Sequence, residues 1–107
     1  LPPAETYANL DAILVRLKNH AISVILAGMQ APRNLGEDYT TAFDAIYPRL
    51  ASKYALPFYP FFLEGVALDP ALNQADGIHP NAAGVREIVR RILPLLKAEL
   101  DKINPRR

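Results

Sequence analysis

The chain contains no cysteine, and its charges nearly cancel: 12 Lys and Arg stand against 11 Asp and Glu, for a formal net charge of +1. The first absence removes a disulfide framework, a thiolate zinc site and a thiol nucleophile. The second argues against nucleic acid or an anionic membrane as a partner, because phosphate-driven binding needs a concentrated excess of Lys and Arg. Long apolar runs are also missing. The longest, Ala21 to Gly28, falls far short of the ~20 residues that cross a bilayer, so no stable membrane anchor is predicted. Serine occurs only at Ser23 and Ser52, and no internal repeat or low-complexity segment is visible. What remains is a chain of 107 residues, half of them hydrophobic, enough for one domain-sized core at most.

The apolar residues alternate between helical and strand patterning. Tyr7, Leu10, Leu14 and Leu17, with Ile13 beside them, recur at helical spacing after Pro2-Pro3, which predicts a helix closed by Asn19-His20. Ile22 to Ala27 is a β-rich run without polar alternation, the pattern of a strand buried on both faces. Gly28 to Gly36 reads as a loop. Phe43, Ile46, Tyr47, Leu50 and Tyr54 define a second helix over roughly 37–54, with Pro48 as a kink or break. Leu56 to Tyr59 is a shorter strand candidate, and Phe61 to Ala75 lacks a clean period. Val85, Ile88, Val89, Ile92, Leu93, Leu96 and Leu100 line one face of a terminal helix, with Pro94 as a second kink.

The order α-β-α-β-α predicts a parallel α/β sheet with helices on both faces. Two strands are too few for it. A strand as uniformly apolar as Ile22 to Ala27 needs neighbours on both edges, and a two-stranded sheet would leave a sticky edge exposed. The patterning therefore predicts that the chain completes a larger sheet whose other strands come from elsewhere, in keeping with a start at Leu1 rather than Met.

The segment Asp76-Gly77-Ile78-His79-Pro80-Asn81 carries the chemistry. The Asp-Gly pair favours a tight turn that folds the carboxylate back toward the imidazole Nδ1. Pro80 holds His79 extended, and Asn81 can cap the helix that follows. A carboxylate on one ring nitrogen leaves the other as a general base. The plainer reading is a surface turn followed by a capping sequence, and on spacing alone it is the commoner outcome. The chain offers no evident nucleophile for such a base: Ser23 lies in the predicted buried strand, Ser52 in the second helix, and Thr6, Thr40 and Thr41 near helix starts, where capping is their simplest role. His20 is read as a helix C-terminal residue favourably placed against the dipole. Asp76 and His79 lack a third ligand at metal-binding spacing, so neither a metal nor another cofactor is predicted.

Several segments together resemble a known family. Met29-Gln30-Ala31-Pro32-Arg33-Asn34-Leu35-Gly36, Tyr39 with Ala42-Phe43, Ala45-Ile46-Tyr47-Pro48, Leu56 to Leu63 and Asp76 to Asn81 are similar, in this order, to the carboxy-terminal half of the SGNH (GDSL-type) hydrolases. The nearest branch is the bacterial thioesterase I/lysophospholipase/arylesterase group. The resemblance implies a three-layer α/β/α sandwich with a parallel, flavodoxin-like sheet, of which residues 1–107 supply about two strands and three helices. It implies a Ser-His-Asp triad in which Asp76 orients His79, the general base. The family's Gly-Asp-Ser-Leu block, with the nucleophile, and its Gly-x-Asn-Asp block, with an oxyanion-hole asparagine, do not occur here. The chain is accordingly expected to begin in the loop after the second block and to pair with an amino-terminal fragment of the same hydrolase.

The expected reaction is hydrolysis of an acyl ester or thioester, in a periplasmic or secreted setting by resemblance. Met29, Pro32 and Leu35 are candidate acyl contacts, because the loop that carries them follows the carboxyl end of a buried strand, where open α/β sheets bind ligands. A loop that only covers the sheet edge is the alternative. At the level of the chain, the alternative is a non-catalytic fragment or subunit that serves as a structural pairing module.

Overall fold

The computed structural model describes residues 1–104, which form two compact units, Leu1–Pro60 and a second that begins at Phe61. In the first unit the order is α1 (Pro3–Asn19), β1 (Leu26–Ala27), a 3-10 turn (Arg33–Leu35), α2 (Glu37–Asp44), α3 (Ile46–Lys53) and β2 (Phe58–Tyr59). Proline at the start of α1 forfeits only a donor that the first turn leaves unpaired. Glu5 in the first turn and Arg16 and Lys18 in the last match the helix dipole. His20 closes the helix and Ala21 reverses the chain at φ 55°.

β1 and β2 pair in parallel, Leu26 with Phe58 and Ala27 with Tyr59, so the helices between them form the crossover that a parallel pair requires. Leu14, Leu26, Ile46, Leu50 and Ala51 form the buried cluster, with Tyr7, Leu10, Phe43, Tyr47 and Phe58 packed against it. Side chains bridge α1 and α3 at the rim: Asp11 accepts hydrogen bonds from Lys53 and Tyr54, and Arg49 lies over the Tyr7 ring.

Two expectations change. The apolar run 22–27 pairs only at Leu26 and Ala27; Ile22 is 53% exposed and Ser23 is exposed as well. A ladder extends only as far as its neighbour supplies partners, and among the described residues the sheet has two strands. The expected helix over 37–54 is two helices that meet at Ala45. Pro48 causes the break, because it has no N–H for the Asp44 carbonyl four residues upstream and its ring crowds that group. Within α3 it occupies the first turn, where proline is tolerated.

In the second unit a series of turns leads to an antiparallel bridge between Asn73 and Pro80, and then to α4 (Ala82–Ile103). The helix continues through Pro94. Its apolar stripe is only partly covered: Ile88 is buried, whereas Val85, Val89, Leu93 and Leu100 are exposed.

Candidate active site

The pair singled out by spacing is present as a hydrogen bond. Gly77 takes φ 70°, which a residue without Cβ adopts without strain, and its N–H donates to the Gln74 carbonyl at 2.9 Å. The turn brings Asp76 Oδ2 to 2.6 Å from His79 Nδ1. Oδ1 of the same carboxylate accepts the N–H groups of Ile78 at 2.9 Å and His79 at 3.1 Å. Because a carboxylate can only accept, Nδ1 carries the proton of this bond, and in the neutral imidazole that leaves Nε2 as the acceptor. The His79 hydrogen bond first, and then the two backbone donors, hold the Asp76 carboxyl at about 2, against an ordinary value of 3.8. His79 is 70% exposed and Asp76 42%, so the imidazole stands open to an incoming group.

The platform beneath the pair is built largely from asparagine. Asn81 caps α4 by accepting the Gly84 N–H at 2.9 Å, as the sequence predicts. Its amide also donates back to the carbonyls of Ala71 and Asn73. Buried Asn73 donates to the Val66 and Asp69 carbonyls, both at 2.8 Å. The Gln74 N–H meets the His79 carbonyl at 2.8 Å. A buried amide that pairs with two carbonyls fixes a loop that has no ladder of its own. Sequence reading missed Asn73, whose one signal is an amide in a turn-rich stretch.

The other candidates separate. Ser23 is exposed outside any strand, and Ser52 lies in α3 as predicted. None of the threonines caps a helix: α1, α2 and α3 have no side-chain cap, and Thr40 donates to the Glu37 carbonyl one turn back. His20 ends α1 and its Nδ1 donates to the Arg16 carbonyl at 2.7 Å. Among the described residues no three His, Asp or Glu side chains are grouped to hold a metal ion. No helix there is long and apolar enough to cross a membrane.

The loop carrying Met29, Pro32 and Leu35 leaves the carboxyl end of β1. Met29 is half-buried, whereas Pro32 and Leu35 are exposed. Between them Ala31 is 4% exposed, and its peptide groups are met by side chains. Asp44 Oδ1 accepts the Ala31 N–H at 2.8 Å, and Arg33 donates Nε and Nη2 to the Ala31 carbonyl at 3.0 and 2.7 Å. Arg33 and Asp44 also pair with each other at 2.6 Å. An exposed ion pair contributes about 0–1 kcal/mol, but a buried peptide group left unpaired costs about 1–3 kcal/mol, so the second effect dominates.

Comparison with known proteins agrees with this architecture. No family model matches the chain. In sequence it is 35% identical over 97 residues to esterase TesA of Pseudomonas aeruginosa, across 91% of this chain and 48% of that protein. It is 43% identical over 79 residues to thioesterase 1/protease 1/lysophospholipase L1 of Escherichia coli K12, across 74% and 38%. Among solved structures, TesA matches with a TM-score of 0.83 at 35% identity, over 92% of this chain and 54% of that one. AlinE4, an SGNH-hydrolase family esterase, matches with a TM-score of 0.69 at 47% identity, over 94% and 53%. The fold class is thus the α/β architecture of these hydrolases. The chain belongs to the SGNH hydrolase family, alongside the TesA esterases and thioesterase 1, and it spans half or less of the length of these two curated relatives.

Proposed function

We propose that the chain is the carboxy-terminal portion of one SGNH hydrolase domain and supplies the acid and base of a Ser-His-Asp triad that hydrolyses carboxylic esters or thioesters. The observation that carries this reading is the bond from His79 Nδ1 to Asp76 Oδ2, which orients an exposed imidazole whose neutral form has Nε2 free to accept a proton. A serine from a separate amino-terminal portion attacks the acyl carbonyl as Nε2 takes its proton. The imidazolium, stabilised by Asp76, then returns that proton to the departing alcohol or thiol. Water repeats the cycle on the acyl-enzyme and releases the acid. The oxyanion donors belong to the same amino-terminal portion, and without it the chain is inactive. Met29, Pro32 and Leu35 contact the acyl chain. The setting is periplasmic or secreted, as the resemblance implies, and cell fractionation checks it.

The test is labelling of the native sample with a fluorophosphonate probe. Label is expected on a second polypeptide or segment, with hydrolysis abolished by His79→Ala. No labelling anywhere in a sample confirmed as native would favour the structural pairing module instead.

A further inference from the structure

We propose that Asp44 and Arg33 form a clasp that sets acyl-chain selectivity by fixing the loop between β1 and α2. The inference rests on the hydrolase reading and on the acyl role of Met29, Pro32 and Leu35. Asp44 is the last residue of α2, where a carboxylate opposes the helix dipole; its position makes sense through what it holds. One oxygen takes the Ala31 N–H and the other the Arg33 guanidinium, while that guanidinium closes on the Ala31 carbonyl. Both polar groups of a buried loop residue are thereby satisfied by side chains, in a segment that has no strand neighbour beyond Tyr59. Ala31 lies between Met29 and Pro32, and the 3-10 turn that ends in Leu35 begins at Arg33 itself. The clasp therefore fixes the backbone on which all three apolar side chains are mounted. Asp44 and Arg33 are positioning residues and touch no reacting atom. Their effect falls on how well a long acyl chain is held, where loss of one or two apolar contacts changes selectivity by roughly 10-fold or more.

The experiment compares the native assembled protein with its Asp44→Ala, Asp44→Asn and Arg33→Ala variants on p-nitrophenyl esters of increasing chain length, with hydrogen exchange at the Ala31 amide measured in parallel. In Asp44→Ala, Ala31 exchange is expected to rise. The ratio of kcat/KM for a long ester to that for a short one is expected to fall by about tenfold, carried in KM. Asp44→Asn, which keeps an acceptor for the Ala31 N–H, is expected to restore part of both. Faster exchange with an unchanged chain-length ratio, or an equal loss along the whole ester series, overturns the selectivity role. If the unmodified protein hydrolyses none of the esters and takes no fluorophosphonate label, the hydrolase reading itself has failed. That result is distinct, because Ala31 exchange would still report whether the clasp exists.

Discussion

The Asp76 carboxylate does two things that separate with pH. It orients His79 at any pH where it is ionised, and its depressed pKa links it to folding. The folded carboxyl, at about 2, holds its proton less tightly than the unfolded one at 3.8. Its contribution to stability is therefore in place above the unfolded value and is lost as the pH falls through about 2. Asp76→Asn is expected to flatten the acid limb of a stability profile between those values. At neutral pH it is expected to lower kcat of the assembled enzyme by about 10⁴-fold, since an amide no longer selects the productive tautomer. Chemical denaturation across pH and steady-state kinetics read the two effects independently. The residue scale also holds plain strain. Ala21 and Ala55, just after α1 and α3, adopt φ 55° and 52°, with Ile22 and Leu56 N–H groups bonding back to Leu17 and Ala51, the reversal that glycine usually serves. Ala55→Gly is expected to stabilise by about 0.5–1 kcal/mol, the relief of a left-handed alanine exceeding the added chain entropy. Thermal melting of the assembled protein checks it.

At the scale of elements, much was legible in the sequence because local rules and the final packing agree. Pro2-Pro3, the Leu10 and Leu14 spacing and Asn19-His20 predict α1 nearly to the residue, and Asn81 announces the start of α4. The Asp-Gly turn was legible for the same reason, since three residues suffice to bring its carboxylate to His79. Elements that depend on distant partners were not. The run from Ile22 has the composition of a long buried strand, but the length of its ladder is set by what pairs with it. The Arg33 to Asp44 clasp joins residues 11 apart through a buried peptide, and no local pattern marks it beyond an acidic residue at the wrong end of a helix. Packing can also reverse a local preference. In α4, alanine is a better helix former than glycine by about 1 kcal/mol. At Gly84, however, an added Cβ would lie 2.1 Å from the Leu72 carbonyl oxygen, and a clash with backbone has no flexible group to absorb it. Gly84→Ala is expected to destabilise the protein by about 1–3 kcal/mol net, seen as a lower denaturant midpoint with an unchanged slope.

For the whole molecule, the sheet and the terminal helix bear on the same question. A two-stranded parallel sheet of two residues per strand lies below what sustains independent stability in water. Exposed Val85, Val89, Leu93 and Leu100 recur at intervals of four and seven along α4, an apolar stripe that a helix keeps only if something covers it. Both features fit a chain that matches half or less of its curated relatives' length, and both lead to one expectation about assembly. Purified alone, the chain is expected to bind a hydrophobic dye such as ANS and to unfold over a broad, weakly cooperative range. Mixed with the amino-terminal portion proposed to carry the serine, it is expected to lose dye binding, melt sharply and gain esterase activity together, at one stoichiometry. On the proposed reading the three signals are tied, because the portion that supplies the serine to His79 is also what covers the exposed apolar surface. Val89→Asp is expected to weaken that assembly through the stripe while leaving the bond between Asp76 and His79 in place. Its activity should therefore recover at higher concentrations of the partner portion, whereas that of His79→Ala should not. A sharp, dye-free melt of the chain alone would show that it needs no completion.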